Sequence, residues 1–163
     1  MQTSFTDKQL QDKDNKTSET IIRKCVHCGM CNATCPTYGI NGEELEGPRG
    51  RIYLIKDMLE NKKPATKEIA KHIDSCLSCY SCMTTCPSGV NYMHLIDHGR
   101  NYVEETYKRP FLDRLFRNIL SFVLPRPKAF LLMAWSSKIV KPFSFLFPKF
   151  IRNALNLMPN KIP

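Results

Sequence analysis

Sizeable apolar residues are almost missing from the first twenty positions, where only Phe5 and Leu10 interrupt a polar, charged run. Such a stretch buries too little to offset its chain entropy, so residues 1–20 are expected to be a disordered, mobile extension. Ile21 and Ile22 open the ordered part. After Gly47, Pro48 suits the first turn of a helix in which Ile52, Ile55 and Leu59 share one face with Met58 beside them. Lys62-Lys-Pro-Ala-Thr66 breaks that helix, and Thr66 can cap a shorter one presenting Ile69 and Ile73. Asn91 is placed to cap a third, from Tyr92 to about Tyr107, with Met93, Ile96, Val103 and Tyr107 near helical spacing and Gly99 weakening it. Beyond Pro110 the period strengthens: Leu112, Leu115, Phe116, Ile119, Leu120 and Val123 oppose Asp113, Arg114, Arg117 and Asn118. Pro125 and Pro127 end that face, and further apolar segments run over 128–140 and 143–158. The pattern predicts a mainly α chain in three parts: residues 1–20, a central domain over 21–107 and a helical basic tail over 108–163.

Two stretches follow neither helical nor alternating period, and they hold all eight cysteines. Cys25-Val-His-Cys28-Gly-Met-Cys31-Asn-Ala-Thr-Cys35-Pro36 and Cys76-Leu-Ser-Cys79-Tyr-Ser-Cys82-Met-Thr-Thr-Cys86-Pro87 share one spacing, offset by 51 positions. Two-residue gaps let three thiolates curl round one compact inorganic core, and the fourth corner needs a distant cysteine; this is the bacterial ferredoxin pattern for an iron–sulfur cubane. Proline forces the preceding residue toward an extended conformation, which aims Cys35 and Cys86 away from their own loops. One [4Fe–4S] cluster is therefore expected on Cys25, Cys28, Cys31 and Cys86, and the other on Cys76, Cys79, Cys82 and Cys35. Zinc sites more often use separated Cys pairs or mixed Cys/His sets. Disulfides need an oxidising compartment, and the polar N-terminus lacks a secretory or twin-arginine pattern, so a cytoplasmic location is expected.

Charge divides the chain at the same place. Residues 1–107 carry 13 Lys/Arg against 14 Asp/Glu, net −1, whereas residues 108–163 carry 11 against Asp113 alone, net +10; together they make the formal +9. The tail has no recognisable nucleic-acid-binding signature. Its longest apolar run, Ala129 to Trp135, is far below the roughly 20 residues that span a bilayer, so it suits a peripheral place on the inner membrane face or a groove on a partner protein. Packing back onto the cysteine domain is the plainer alternative. Arg49 and Arg51, between the runs, read either as tuning charges facing the clusters or as a solvated basic edge. His94 and His98 form an i, i+4 pair without the third ligand or glutamate of a metalloprotease motif, and read as packing residues. No catalytic residue stands out.

Taken together, CVHCGMCNATCPTY, GEELEGPRGRIYLIKDMLEN, CLSCYSCMTTCPSGV and HLIDHGR resemble the iron–sulfur subunits of glycolate oxidase, closely from about Ile22 to Arg100 and more loosely through the tail. The Gly-Pro-Arg-Gly-Arg-Ile stretch narrows the choice, since the cysteine pattern is shared with subunits of succinate dehydrogenase, heterodisulfide reductase and anaerobic glycerol-3-phosphate dehydrogenase. The resemblance implies an electron-transfer subunit taking electrons from an FAD-containing partner that oxidises glycolate or lactate, and passing them through two [4Fe–4S] clusters toward a quinone or another membrane acceptor. It also implies that the isolated chain has no catalytic activity. Family members continue into a region of cysteine-rich CCG repeats, whereas this sequence has no cysteine after Cys86. A non-catalytic iron–sulfur binding module is the reading from a different class.

Overall fold

The computed structural model describes residues 1–141 and 152–153, with no strand among them. The chain divides into a unit over Met1–Lys108 and a second beginning at Arg109.

The first unit is built on a 14-residue helix, α4 (Pro48–Asn61). Its apolar stripe of Ile52, Ile55, Met58 and Leu59 is buried, and each such side chain stabilises the unit by roughly 1.5–3 kcal/mol. α5 (Lys67–Asp74) starts where Thr66 accepts a hydrogen bond from the backbone N–H of Ile69. α7 (Tyr92–Thr106) starts where Asn91 accepts one from His94. The buried face of α7 is Tyr92, Leu95, Ile96, Gly99 and Val103, while Met93, expected on that face, is exposed. Gly99 decides the register. A Cβ there would lie 2.8 Å from Ile55 Cγ1, so the residue that lowers helix propensity is what lets α7 approach α4.

The expected mobile extension over residues 1–20 is instead largely helical: α1 (Asp7–Leu10) and α2 (Lys13–Lys24) precede the first cysteine. Thr6 and Gln9 form a capping box on α1, and Asp12 caps α2. The anchoring is polar, which hydrophobic periodicity does not register. The buried Gln9 amide donates to the carbonyls of Leu59 (2.9 Å) and Glu60 (3.0 Å), satisfying acceptors at the end of α4. Ser18, fully buried, lies 2.7 Å from His98 Nδ1 and ties α2 to α7.

In the second unit, α8 (Phe111–Val123) follows Pro110 and α9 (Pro127–Val140) begins at Pro127. The apolar face of α8 is solvent-exposed at Phe111, Leu112, Leu115 and Ile119. Among the described residues no helix is long and apolar enough to cross a membrane. The apolar segment expected over 143–158 lies outside the described residues apart from 152–153.

Candidate iron–sulfur centre

Both cysteine runs are loops with the same backbone. His27 (φ 59°) and Gly29 (φ 85°) are left-handed in the first, and Ser78 (φ 52°) and Tyr80 (φ 56°), their partners at +51, are left-handed in the second. Three of these four carry a Cβ, and that conformation is unfavourable for L-residues, so something other than local preference selects it. Left-handed residues set among ordinary ones turn successive backbone N–H groups into a concavity that receives an anionic group. The first loop runs into a 3-10 turn (Met30–Asn32) and the second into a short helix, α6 (Ser81–Thr84). Cys35 then caps α3 (Pro36–Asn41) in an extended conformation (φ −85°, ψ 117°), as the following proline requires.

The fold brings the eight sulfurs into one neighbourhood. Cys25, Cys28 and Cys31 line a cavity with Cys86 and Cys82 from the other run. Burial pushes the Cys25 thiol up, and the nearby Cys86 and Cys28 push it further. Cys31 is pushed up to about 11, by burial first and then by Cys25, Cys86 and Cys28. Cys82 is pushed up to about 12, by burial and then by Cys31, Cys76, Cys35 and Cys79. All eight thiols are free, with Cys28 and Cys79 exposed and Cys25 and Cys82 buried. Crowded sulfurs that resist ionisation are what a polycationic iron core relieves, because thiolates bind it and its charge offsets theirs. The donor set and the doubled left-handed loops both fit such a group.

A polar layer surrounds these sulfurs. Arg51, which is 1% exposed, donates from Nε to the His72 carbonyl (2.7 Å) and from Nη2 to Glu46 (3.0 Å), Ser75 Oγ (2.9 Å) and Thr37 Oγ1 (3.1 Å). Its Nη1 lies 4.0 Å from Cys35 Sγ. Burial would raise the Glu46 carboxyl, but hydrogen bonds from Ser75 and His72 and the His72 and Arg51 charges outweigh it and hold it below the ordinary range. Arg51 is therefore no solvated edge. Glu43, Glu46 and His72 offer donor atoms within 4.8 Å of one another, but the Arg51 guanidinium already pairs with Glu46 and opposes a cation there. Arg49 pairs with Glu44 and backs the first loop, where a Cβ on Gly29 would stand 2.5 Å from its Nη1.

Several contributors were not singled out from the sequence. The Tyr92 hydroxyl donates toward Cys76 Sγ (3.8 Å), and burial, then the Cys76 charge, pushes its phenol well above the ordinary range, so it keeps its proton. The backbone N–H and the hydroxyl of Ser81 hydrogen-bond Cys79 and hold its thiol down. Arg100 donates to Ser78 Oγ and to the Cys76 carbonyl, both at 2.7 Å. Its position, 51 after Arg49, was the available signal. His94 and His98 belong to no group of three or more metal donors among the described residues, and His98 is engaged by Ser18.

Residues 21–90 match the family described as "4Fe-4S dicluster domain". The dicluster domain thus spans both cysteine runs, and two [4Fe–4S] clusters are its cofactors, using the number of thiolates the eight cysteines supply. The chain is similar to the glycolate oxidase iron–sulfur subunit of Escherichia coli (48% identity over 88% of this chain and 35% of that protein). It is also similar to a probable glycolate oxidase iron–sulfur subunit of Bacillus subtilis (31% identity over 69% of this chain and 26% of that protein). A succinate dehydrogenase iron–sulfur subunit of Paracoccus denitrificans is 30% identical over 43% of this chain and 29% of its own length. The chain thus spans about a third or less of the relatives it matches. No solved structure matches it.

Proposed function

We propose that this chain carries electrons within a 2-hydroxy-acid dehydrogenase, between an FAD-containing subunit that oxidises glycolate or lactate and a quinone or other acceptor at the membrane. The observation that carries the reading is the gathering of cysteines from both runs into one neighbourhood, within a chain so similar to a glycolate oxidase iron–sulfur subunit. When bound, each cluster accepts and returns one electron. The residues' part is to hold the clusters close, shield them and set their potentials. Cys25, Cys28, Cys31 and Cys86 serve one site and Cys76, Cys79, Cys82 and Cys35 the other, a division supported by the position of Cys86 beside the first run and of Cys35 beside the second. Bond chemistry on the 2-hydroxy acid belongs to the flavoprotein, and the isolated chain turns over no substrate. The protein sits on the cytoplasmic side, held peripherally through its basic tail.

Anaerobic reconstitution, followed by mixing with the candidate flavoprotein, tests this. About eight iron and eight acid-labile sulfide per chain are expected, with glycolate or lactate bleaching the cluster absorbance only when the flavoprotein is present. Turnover by the chain alone would overturn the division of labour. Failure of both substrates to reduce the clusters in the complex would move the chain to another two-cluster oxidoreductase, of the anaerobic glycerol-3-phosphate dehydrogenase or heterodisulfide reductase type.

A further inference from the structure

The 51-residue repeat allows the two cluster sites to be compared position by position, so that what they share cancels. Left-handed residues recur at the same places, and the second cysteine of each run, Cys28 and Cys79, is exposed. Each loop is backed by an arginine, Arg49 on one and Arg100 on the other. What does not cancel is the set of hydrogen bonds to sulfur.

At Cys76, Cys79, Cys82 and Cys35, side chains supply donors at three of the four positions. The Tyr92 hydroxyl points at Cys76 (3.8 Å) and the Arg51 guanidinium at Cys35 (4.0 Å), while hydrogen bonding from Ser81 holds the Cys79 thiol down. The Thr37 hydroxyl is 3.2 Å from Cys35 Sγ; it also reaches the Glu46 carbonyl at 2.7 Å, but an ionised sulfur is the stronger acceptor for its proton. At the other site, among the described residues, the donor beyond the loop's own backbone is the Val90 N–H on Cys86 (3.5 Å), while the Asn32 amide oxygen 3.9 Å from Cys31 Sγ is an acceptor. Met30, the counterpart of Ser81, has no hydroxyl, and Ile22 and Ile73 occupy equivalent core positions before each loop. Fixed charge does not reverse the comparison. Arg49 with Glu44 is matched by Arg51 with Glu46, and the Met1 amine on the Cys25 carbonyl is matched by Arg100 on the Cys76 carbonyl. Hydrogen bonds to cluster sulfurs stabilise the reduced, more negative state and raise the reduction potential.

We propose that the two sites are unequal electron sinks: the site of Cys35, Cys76, Cys79 and Cys82 has the higher reduction potential, so an electron entering at the site of Cys25, Cys28, Cys31 and Cys86 moves to it. The transfer is one electron, oxidising the first site and reducing the second, with no bond made or broken. Tyr92, Ser81, Thr37 and Arg51 are positioning residues for that potential. The inference rests on the crossed cysteine sets proposed above.

The test is a potentiometric titration of the full-length, two-cluster protein, followed by EPR, in the wild type and in Tyr92→Phe, Ser81→Ala and Thr37→Val. Arg51→Lys is a fourth variant, used where it retains both clusters. The wild type should titrate in two steps. Each variant should lower the midpoint of the step that is reduced first and leave the later step in place. If all of them instead move the later step, the ordering is wrong although the crossed sets stand. If Thr37→Val moves one step while Tyr92→Phe and Ser81→Ala move the other, Cys35 does not share a site with Cys76 and Cys79, and the crossed sets fail. Unchanged midpoints in all variants with both clusters present would overturn the hydrogen-bond origin.

Discussion

Two glycines, a histidine and their neighbours show how differently single positions bear on this fold. Gly29 is left-handed at φ 85° with Arg49 packed where a side chain would begin, whereas Gly39, in α3, is exposed with nothing within 4 Å of a Cβ. Gly29→Ala should cost about 1–2 kcal/mol from the backbone alone, and more once Arg49 is displaced. Gly39→Ala should stabilise by about 0.5–1 kcal/mol. Urea titrations of cluster absorbance under anaerobic conditions, read as opposite shifts of the midpoint, check the pair. His98 carries a pH dependence. Burial lowers its pKa from the ordinary 6.5, and nearby His94 adds to this, against the opposing charges of Asp14, Asp12 and Glu105. The native protein therefore keeps the ring neutral while the unfolded chain takes up a proton near 6.5. Stability from this group is retained above that pH and falls as the pH drops toward the lower, folded value. His98→Gln should flatten that part of the stability–pH curve between pH 7 and 5.5; an unchanged slope would assign it elsewhere.

At the scale of elements, the buried Arg51–Glu46 pair joins three pieces of chain. Arg51 belongs to α4, Glu46 to the turn before it, and His72 and Ser75 to the end of α5, where the second run begins. Removing one partner leaves the other charge buried, which costs about 3–5 kcal/mol. Glu46→Ala should thus cost that much and release the second cluster faster than the first. Arg51→Met combined with Glu46→Leu should recover part of the stability, since an apolar pair of similar size avoids the desolvation penalty. A double-mutant cycle on urea midpoints measures the coupling, and strict additivity would count against a shared network.

For the molecule as a whole, the contrast between its parts is electrostatic. The first 107 residues are nearly neutral at net −1, and residues 108–163 carry net +10 alongside the exposed apolar face of α8. Exposed charges are screened beyond about 10 Å at 0.1 M salt. Association with vesicles containing anionic lipid should therefore be strong at low salt and weaken steeply as salt rises, and deleting residues 109–163 should abolish it while the cluster spectrum persists. Cosedimentation with anionic and neutral vesicles decides this. Binding that ignores salt, or loss of both clusters on deletion, would mean that the tail acts through packing.

Features that are local or periodic are legible along the chain. Metal-ligand spacing, the Cys-Pro geometry, the caps at Thr66 and Asn91 and the stripe on α4 all depend on residues within a turn or two of one another. The chemistry of the site was legible for the same reason, since three thiolates two residues apart declare themselves without a fold. Packing settles the relations between distant parts of the chain. It set which distant sulfurs are neighbours, which of two arginines is buried, and that Tyr92 and Ser81 face cysteines. It also ordered a polar N-terminal stretch through Gln9 and Ser18. The physical reason is that hydrogen bonds between residues tens of positions apart leave no period in the sequence: a buried glutamine or arginine reads as a surface residue until the packing that encloses it supplies its partners.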